Sequence, residues 1–186
     1  MAILHCYDSV VADAVPPAAL VLGYVDGDWP TYDQLVARFA APQVTTRVLS
    51  VTVTGRPGAQ LIDCEAGNAG PSASAAWAKA ELQAGRHPSV YASRDVILEV
   101  QGALRSLRVD QALVGWWLAY YVQVAPPEVE VRWPHYVPNG FIGWQFADSI
   151  PVAGGHSVDA SVVRSAWARR HGWTGQGRGI HVRVGR

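Results

Sequence analysis

The sequence predicts an α/β fold in which residues 1–170 form a small, irregular (β/α) barrel resembling a TIM barrel. Short β-rich segments alternate along the chain with segments of helical periodicity. The β-rich segments read as continuous apolar runs, which is typical of a parallel sheet covered on both faces. Eight such segments favour a closed barrel, small for that fold and short of some helices. A doubly wound open sheet is the alternative, but "YDSVVADAVPP" follows the first strand instead of a Gly-rich phosphate loop.

The first half of the chain supplies four of these strands and two helices. The segment 46–55 alternates and is rich in β-branched residues, so it predicts a strand. The segment 71–85 predicts a helix, with Ser72 as its N-cap and Gly85 as its end. The other predicted elements are strands at 2–9, 20–29 and 59–67 and a helix at 32–40.

The second half predicts four more strands, at 87–93, 111–122, 128–133 and 140–148. Ser93 is placed to cap a helix over 94–107. The stretch 157–173 predicts a further helix. Residues 171–186 form a basic Gly/Arg-rich C-terminal end, either a strap for anionic polymers or a loose solvated tail.

Composition narrows the functional class. Fifteen Lys and Arg balance fifteen Asp and Glu, which argues against a general nucleic-acid binder. No apolar run approaches the ~18 residues of a membrane span. The first residues do not resemble a signal peptide, so we expect synthesis in the cytoplasm. Cys6 and Cys64 each lie in an apolar strand, which favours buried thiols over a disulfide framework.

Two carboxylates in one buried segment, "AQLIDCEAG", are the main indication of a site. Side chains alternate along a strand, so Asp63 and Glu65 point to one side while Ile62 and Cys64 point to the other. If Ile62 and Cys64 face the helices, the carboxylates face the barrel axis near the C-terminal end of the strand, where barrel enzymes keep their chemistry. The alternative is a surface loop with solvated acids.

Further acids stand at the ends of other predicted strands. Any one of them is more often a cap or turn residue, but together they predict an acidic cleft at one rim. Asp26 shares a strand face with Tyr24, which makes both candidate binding residues. The acids at strand ends are Asp8, Asp26, Asp28 and Asp148, and Asp159 sits in "SVDAS".

Aromatic residues accompany the acids and suit a sugar, which offers C–H faces for stacking and hydroxyls for hydrogen bonds. In "WWLAYY", alternation predicts that Trp117, Ala119 and Tyr121 point inward. We expect Trp117 to lie deeper, beside the Asp63–Glu65 pair, and Tyr121 to be more accessible. The outer layer against the helices is then expected to hold Trp116, Leu118 and Tyr120.

These segments resemble glycoside hydrolase family 25, the lysozymes (muramidases) of bacteria and phages, and more closely the actinobacterial and actinophage relatives of that family. "LIDCEAGN" resembles the family's D-x-E strand, "PSVYAS" its next strand and "WLAYY" its W-x-A-x-Y strand. "GWQFADSIPVAGGHSVDAS" resembles the closing W-Q segment with its V-D motif, and "HCYDS" stands where the family has its first-strand aspartate. The similarity runs from about residue 3 to 165, and the order and spacing of the motifs make it more specific than any one of them.

The resemblance implies an irregular (β/α) barrel that cleaves the β-1,4 bond after N-acetylmuramic acid in peptidoglycan. No cofactor is implied. A lysin of this kind reaches the cell wall after lysis or holin release, or acts as a component of a phage virion. The implied roles are Glu65 as general acid, Asp63 as its partner, Asp8 and Asp159 as further pocket acids, and Tyr91, Trp117 and Tyr121 as sugar-contacting rings.

Glycoside hydrolysis needs one protonated carboxyl and one ionised carboxylate. Apolar neighbours raise a carboxyl's pKa, so we expect Glu65 to be the proton donor and Asp63 to stay ionised. A retaining, inverting or substrate-assisted mechanism is equally compatible with the spacing.

Three other readings stay open: a catalytically silent glycan-binding or phage structural module, a metal site, and a cysteine nucleophile. The histidines show no metal-ligand spacing, and no Cys–His pairing is evident.

Overall fold

The computed structural model describes residues 3–41, 45–122 and 140–171. They form a closed barrel in which eight strands follow one another around the ring in chain order, so the predicted fold class is confirmed. The strands are β1 (Ile3–Asp8), β2 (Leu20–Tyr24), β3 (Arg47–Thr52), β4 (Leu61–Asp63), β5 (Ser89–Ser93), β6 (Gly115–Ala119), β7 (Phe141–Pro151) and β8 (Ser157–Arg164). The helices are α1 (Tyr32–Arg38), α2 (Pro71–Gln83), α3 (Arg94–Ser106) and α4 (Ser165–Arg170).

The last strand departs from the predicted parallel sheet. Neighbouring strands from β1 to β7 run parallel, whereas β8 is antiparallel to both β7 and β1. The predicted helix over 157–173 is therefore wrong in its first half. The segment "SVDASVVR" is rich in β-branched residues, and Gly154 and Gly155 at positive φ form the turn that folds it back on β7.

Several element ends also differ from prediction. The N-cap of α2 is Gly70, because Pro71 occupies the first helical position and Ser72 already lies inside the helix. A 3-10 turn over Gln111–Leu113 delays the start of β6. Gly85 adopts a φ of 74° just after α2, as expected for a helix end. The predicted strand at 128–133 and most of the basic end lie outside the described residues.

Alternation along the strands separates two apolar layers. Leu61 packs with Leu4, Leu20 and Leu49 in the barrel interior. Ile62 and Cys64 point out of the barrel and belong to the apolar cluster between the strands and helices α2 and α3. The outward orientation predicted for Ile62 and Cys64 is thus confirmed, and both cysteines are buried free thiols.

Helix α4 lies across the N-terminal end of the parallel strands. The register pairs Arg164 at the end of β8 with Ile3 at the start of β1, which brings α4 to this end. The indole of Trp167 donates a hydrogen bond to Ser89 Oγ at 2.9 Å and meets the Trp117 ring edge-on, with centroids 5.6 Å apart. The acidic side chains lie at the opposite end of the barrel, where the parallel strands have their C-terminal ends.

No helix in the described part of the chain has the length and apolar character needed to cross a bilayer.

Candidate active site

One small cavity lies at the C-terminal ends of the parallel strands. It encloses about 320 Å³, counting the open space at its mouth. Aliphatic side chains form part of its wall. Its polar lining residues are Asp8, Tyr24, Asp63, Glu65, Tyr91, Gln145 and Asp159.

The antiparallel pairing of β1 and β8 positions two of the acids. Asp8 and Asp159 are direct partners in the register, so their side chains meet at the same rim. The Tyr24 hydroxyl donates a hydrogen bond to Asp8 Oδ2 at 3.2 Å. The backbone N–H of Ser149 donates to Asp159 Oδ1 at 2.9 Å, and the Gln145 side chain donates to the same carboxylate.

Strand β4 positions the other two acids at different depths. The strand ends at Asp63, whose side chain is only 5% exposed, whereas Glu65 lies beyond it and is partly exposed. The Asn68 side chain and the backbone N–H of Glu65 donate hydrogen bonds to the Asp63 carboxylate. Its Oδ1 atom is buried and has no hydrogen-bond partner among the described residues.

Burial raises the pKa of every carboxyl in the cavity. The pKa of Asp8 is raised well above its usual value by burial and by repulsion from Asp159, and that of Asp159 is raised chiefly by burial. Burial and repulsion from Glu65 raise the pKa of Asp63 to about 7. Burial also raises the pKa of Glu65, while a hydrogen bond from Tyr91 opposes the shift.

The expectation that Asp63 stays ionised is therefore wrong. Its pKa of about 7 leaves it about half protonated at neutral pH. The reason is depth, because β4 carries Asp63 into the barrel and lets Glu65 emerge towards solvent.

A chain of hydroxyls connects Glu65 to the surface. Tyr91 is hydrogen-bonded to the Glu65 carboxylate, and its hydroxyl lies 3.2 Å from that of Tyr121. Tyr121 is 42% exposed and Trp117 is fully buried, in the expected order of depth. Tyr120 is exposed and does not join the outer layer against the helices, because β6 ends at Ala119.

Three further acids predicted at strand ends do not line the cavity. Asp26 accepts hydrogen bonds from the hydroxyls of Thr52 and Thr54 and from the backbone N–H of Val53, so it fastens the loops after β2 and β3. Partial burial raises its pKa, but these hydrogen bonds outweigh that effect and hold the pKa below its usual value. Asp28 and Asp148 are exposed and are not among the cavity-lining residues.

The expected place of Trp117 beside the two β4 acids is also wrong. Trp117 points inward, as predicted, but it does not line the cavity. Its indole N–H reaches Ser161 Oγ at 3.3 Å and its ring packs on Trp167, towards the closed end of the barrel.

Sequence reasoning missed two polar residues at the site. Gln145 is 3% exposed and lines the cavity, and Asn68 is hydrogen-bonded to Asp63. Gln145 could have been found from the sequence, because it is the single amide inside the apolar run "GWQFA" and a buried amide needs hydrogen-bond partners. Across the ranges 3–41, 45–122 and 140–171, no group of three or more His, Cys, Asp or Glu side chains is arranged to hold a metal ion.

Comparisons with known proteins identify no family for this chain. No family model matches it, and no curated protein matches it. A solved structure of the CTP1L endolysin, whose activity is regulated by a secondary translation product, aligns over 81% of this chain and 59% of that one, with 14% identity and a TM-score of 0.47. The Tat-secreted protein Rv2525c of Mycobacterium tuberculosis, solved with L-tartrate, aligns over 87% of this chain and 95% of that one, with 17% identity and a TM-score of 0.43.

The chain thus spans about three fifths of the CTP1L endolysin structure. At these identities and TM-scores neither likeness indicates what the chain does. The likeness to family 25 accordingly remains one of short motifs, and the assignment of site residues depends on the cavity itself.

The buried Asp63 predicts how stability changes with pH. Its pKa of about 7 in the folded chain exceeds the ordinary value of 3.8, so the folded state binds more protons between these pH values. The contribution of Asp63 to the free energy of unfolding should therefore fall as pH rises from about 4 to about 7, by about 1.4 kcal/mol per unit of pKa difference. The raised pKa values of Asp8, Glu65 and Asp159 act in the same direction. Thermal denaturation across this range should give a falling Tm. Asp63→Asn should flatten the fall, whereas Asp28→Asn, at an exposed position, should leave it unchanged.

Proposed function

We propose that this protein is a glycoside hydrolase that cleaves a β-1,4 bond in peptidoglycan or a related cell-wall glycan. The observation that carries the proposal is the cavity at the C-terminal rim of a closed barrel, with Asp8, Asp63, Glu65 and Asp159 in its wall. The pKa of Asp63, about 7, keeps part of this set protonated near neutral pH, and burial raises the pKa values of Asp8 and Glu65 as well. A mixture of protonated and ionised carboxyls is what acid/base cleavage of a glycosidic bond requires.

In this proposal Glu65 protonates the leaving glycosidic oxygen. Glu65 is the acid of the β4 pair that reaches solvent, and burial raises its pKa, which favours a proton donor. Asp63 lies beneath Glu65, and the two carboxylates repel each other when both are ionised. The pair therefore loses its first proton at a lower pH than its second. Tyr24, Tyr91 and Tyr121 offer rings and hydroxyls to the sugar at the rim.

The experiment that tests the function is hydrolysis of purified actinobacterial peptidoglycan, followed by turbidity and by the release of reducing sugar. We expect both signals with the wild-type chain and neither with heat-denatured protein. Binding of the glycan without release of reducing ends would contradict the proposal and favour a silent glycan-binding or phage structural module.

The contact between Tyr91 and Glu65 predicts the direction of a pH shift. Tyr91→Phe removes a hydrogen bond that stabilises the ionised Glu65, so the pKa of Glu65 should rise. The alkaline limb of the pH–rate profile reports the proton donor and should move to higher pH, by roughly one unit for a hydrogen bond to a charged group.

Tyr121→Phe is the matched control, because it removes the neighbouring hydroxyl but leaves the contact between Tyr91 and Glu65. Its alkaline limb should move less. A larger shift in Tyr121→Phe than in Tyr91→Phe would contradict the assignment of Glu65 as donor.

A further inference from the structure

The two ends of the barrel carry opposite charge. The acids that line the cavity lie where the parallel strands end, whereas basic side chains gather where these strands begin and α4 lies. Glu81, near the C-terminal end of α2, is ion-paired with Arg86, so its charge is already balanced. A formal net charge of zero therefore conceals a separation of charge along the barrel axis. The basic cluster of this end consists of Arg47, His87, Arg170 and His171.

Helix α4 positions half of the basic cluster. Arg170 is its last residue and is exposed, and His171 follows directly. The His171 ring lies against the Trp167 indole, with ring centroids 4.4 Å apart. Because Trp167 is itself hydrogen-bonded to Ser89 Oγ, these basic groups are fixed beside the start of β5.

The starts of two strands supply the other half. Arg47 is the exposed first residue of β3, and Leu49, two residues later, faces the barrel interior. Alternation along the strand therefore turns Arg47 towards the barrel axis at this mouth. His87 is exposed two residues before β5 begins. The pKa of His171 is lowered to about 4, first by burial and then by the charges of these two residues and of Arg170, so the cluster lies within electrostatic range of one ring.

The basic cluster has no described anion to balance it. Among the residues that the structure describes, neither Arg47 nor Arg170 forms an ion pair. The Nε2 atom of His171 is buried and finds no hydrogen-bond partner among them. Like charges that the fold holds together repel one another, and an anion that binds across them removes this cost. This end of the barrel is thus suited to a negatively charged partner.

The form of the basic cluster favours an extended phosphate chain as this partner. Its exposed charges come from β3, the segment before β5 and α4, and a guanidinium fork matches the two free oxygens of a phosphodiester. A lipid surface would engage apolar side chains, and α4 exposes no large one. A nucleic-acid duplex is usually held by more phosphate contacts than this cluster can make.

We propose that the basic cluster binds a phosphodiester polymer of the cell wall and so holds the protein at the wall, with the acidic cavity left free for the glycan. The inference rests on the proposed function only in taking the wall as the place of action. The carboxylates of the cavity repel an anionic chain, and the opposite end attracts it. The polymer and the glycan therefore do not compete for one site.

Calorimetric titration of the protein with poly(glycerol phosphate) near neutral pH tests the inference. We expect the dissociation constant of the wild type to rise by at least about tenfold between about 50 mM and about 500 mM sodium chloride, because salt screens exposed charges. The Arg47→Gln/Arg170→Gln variant should bind at least about tenfold more weakly than the wild type at the lower salt concentration. Arg170→Gln alone should weaken binding by about threefold, and it provides a second test if the double variant folds poorly.

Arg56→Gln/Arg94→Gln is the matched control, because it removes the same charge from exposed positions after the C-terminal ends of β3 and β5. Its binding should equal that of the wild type. Unchanged binding in both Arg170 variants, or an equal loss in this control, would refute the inference.

Three further ligands each have an outcome that would overturn the inference. Tighter binding to vesicles of phosphatidylglycerol and phosphatidylcholine would assign the cluster to a lipid surface. Tighter binding to duplex DNA at the same phosphate concentration would assign it to nucleic acid. Equal binding of polygalacturonate, whose charges are carboxylates, would mean that the surface does not recognise phosphate.

Poly(glycerol phosphate) contains no glycosidic bond, so the two proposals can fail separately. Salt-dependent binding by a protein that releases no reducing ends would support this inference and contradict the proposed function. Hydrolysis of peptidoglycan freed of phosphodiester polymers, without binding of poly(glycerol phosphate), would do the reverse. The Arg47→Gln/Arg170→Gln variant should hydrolyse such peptidoglycan at the wild-type rate, since neither residue lines the cavity. A lower rate would contradict the separation of the two ends.

Discussion

Replacing Glu65 by Gln is expected to lower the rate of glycan hydrolysis by about 10²–10⁴, the usual effect of losing a general acid. The change keeps the shape of the side chain but removes the proton that the leaving oxygen needs. Thermal stability should hold or rise, because a carboxyl with a pKa raised by burial is replaced by a neutral amide. The release of reducing ends and the Tm measure the two effects on the same sample.

Glu99→Gln is the matched control, since it makes the same chemical change at an exposed position on α3 that does not line the cavity. Its rate should equal that of the wild type. Near-normal turnover in Glu65→Gln would end its assignment as donor, and Asp63, with a pKa of about 7, would be the first acid to test in its place.

Trp117→Ala is expected to lower the free energy of unfolding by about 3–5 kcal/mol. The Trp117 ring is fully buried inside the barrel, where it packs on Trp167 towards the end that α4 covers. The ring lies so close to Gly143 that a Cβ atom built there would come within 2.3 Å of it. Loss of the ring therefore leaves a cavity that the rigid strands around it cannot close. Chemical denaturation measures the change.

Trp29→Ala provides the comparison, because Trp29 is 57% exposed and its loss should cost no more than about 0.5 kcal/mol. Trp117→Phe, a milder change, should leave the alkaline limb of the pH–rate profile in place, since Trp117 does not line the cavity. Movement of that limb in Trp117→Phe would show that the ring acts on Glu65 after all.

Local pattern was sufficient to predict most of the barrel. Apolar runs separated by helical segments predicted β1 to β6, and period-two alternation predicted that Ile62 and Cys64 face the helices. It did not predict β8, because "SVDASVVR" becomes a strand only when the hairpin from β7 and the open edge of β1 provide partners. Strand pairing of this kind depends on residues far apart in the sequence.

The sequence by itself determined which residue types the rim of the barrel would carry. Acids at strand ends led to Asp8, Asp63 and Glu65 as candidates, the V-D motif led to Asp159, and these four line one cavity. The same reasoning selected Asp26, which accepts hydrogen bonds from neighbouring loops instead. A carboxylate at a strand end has the same local pattern in both situations.

Only the tertiary structure decided depth, and depth sets the chemistry. The residues around "LIDCEAG" contain no information on how far β4 extends into the barrel, so Asp63 was expected to be ionised and Trp117 to adjoin it. Strand length and barrel closure place Asp63 beneath Glu65 and Trp117 against Trp167. Desolvation and repulsion depend on distances across the barrel, which is why the pKa of Asp63 follows from the fold and not from the sequence around it.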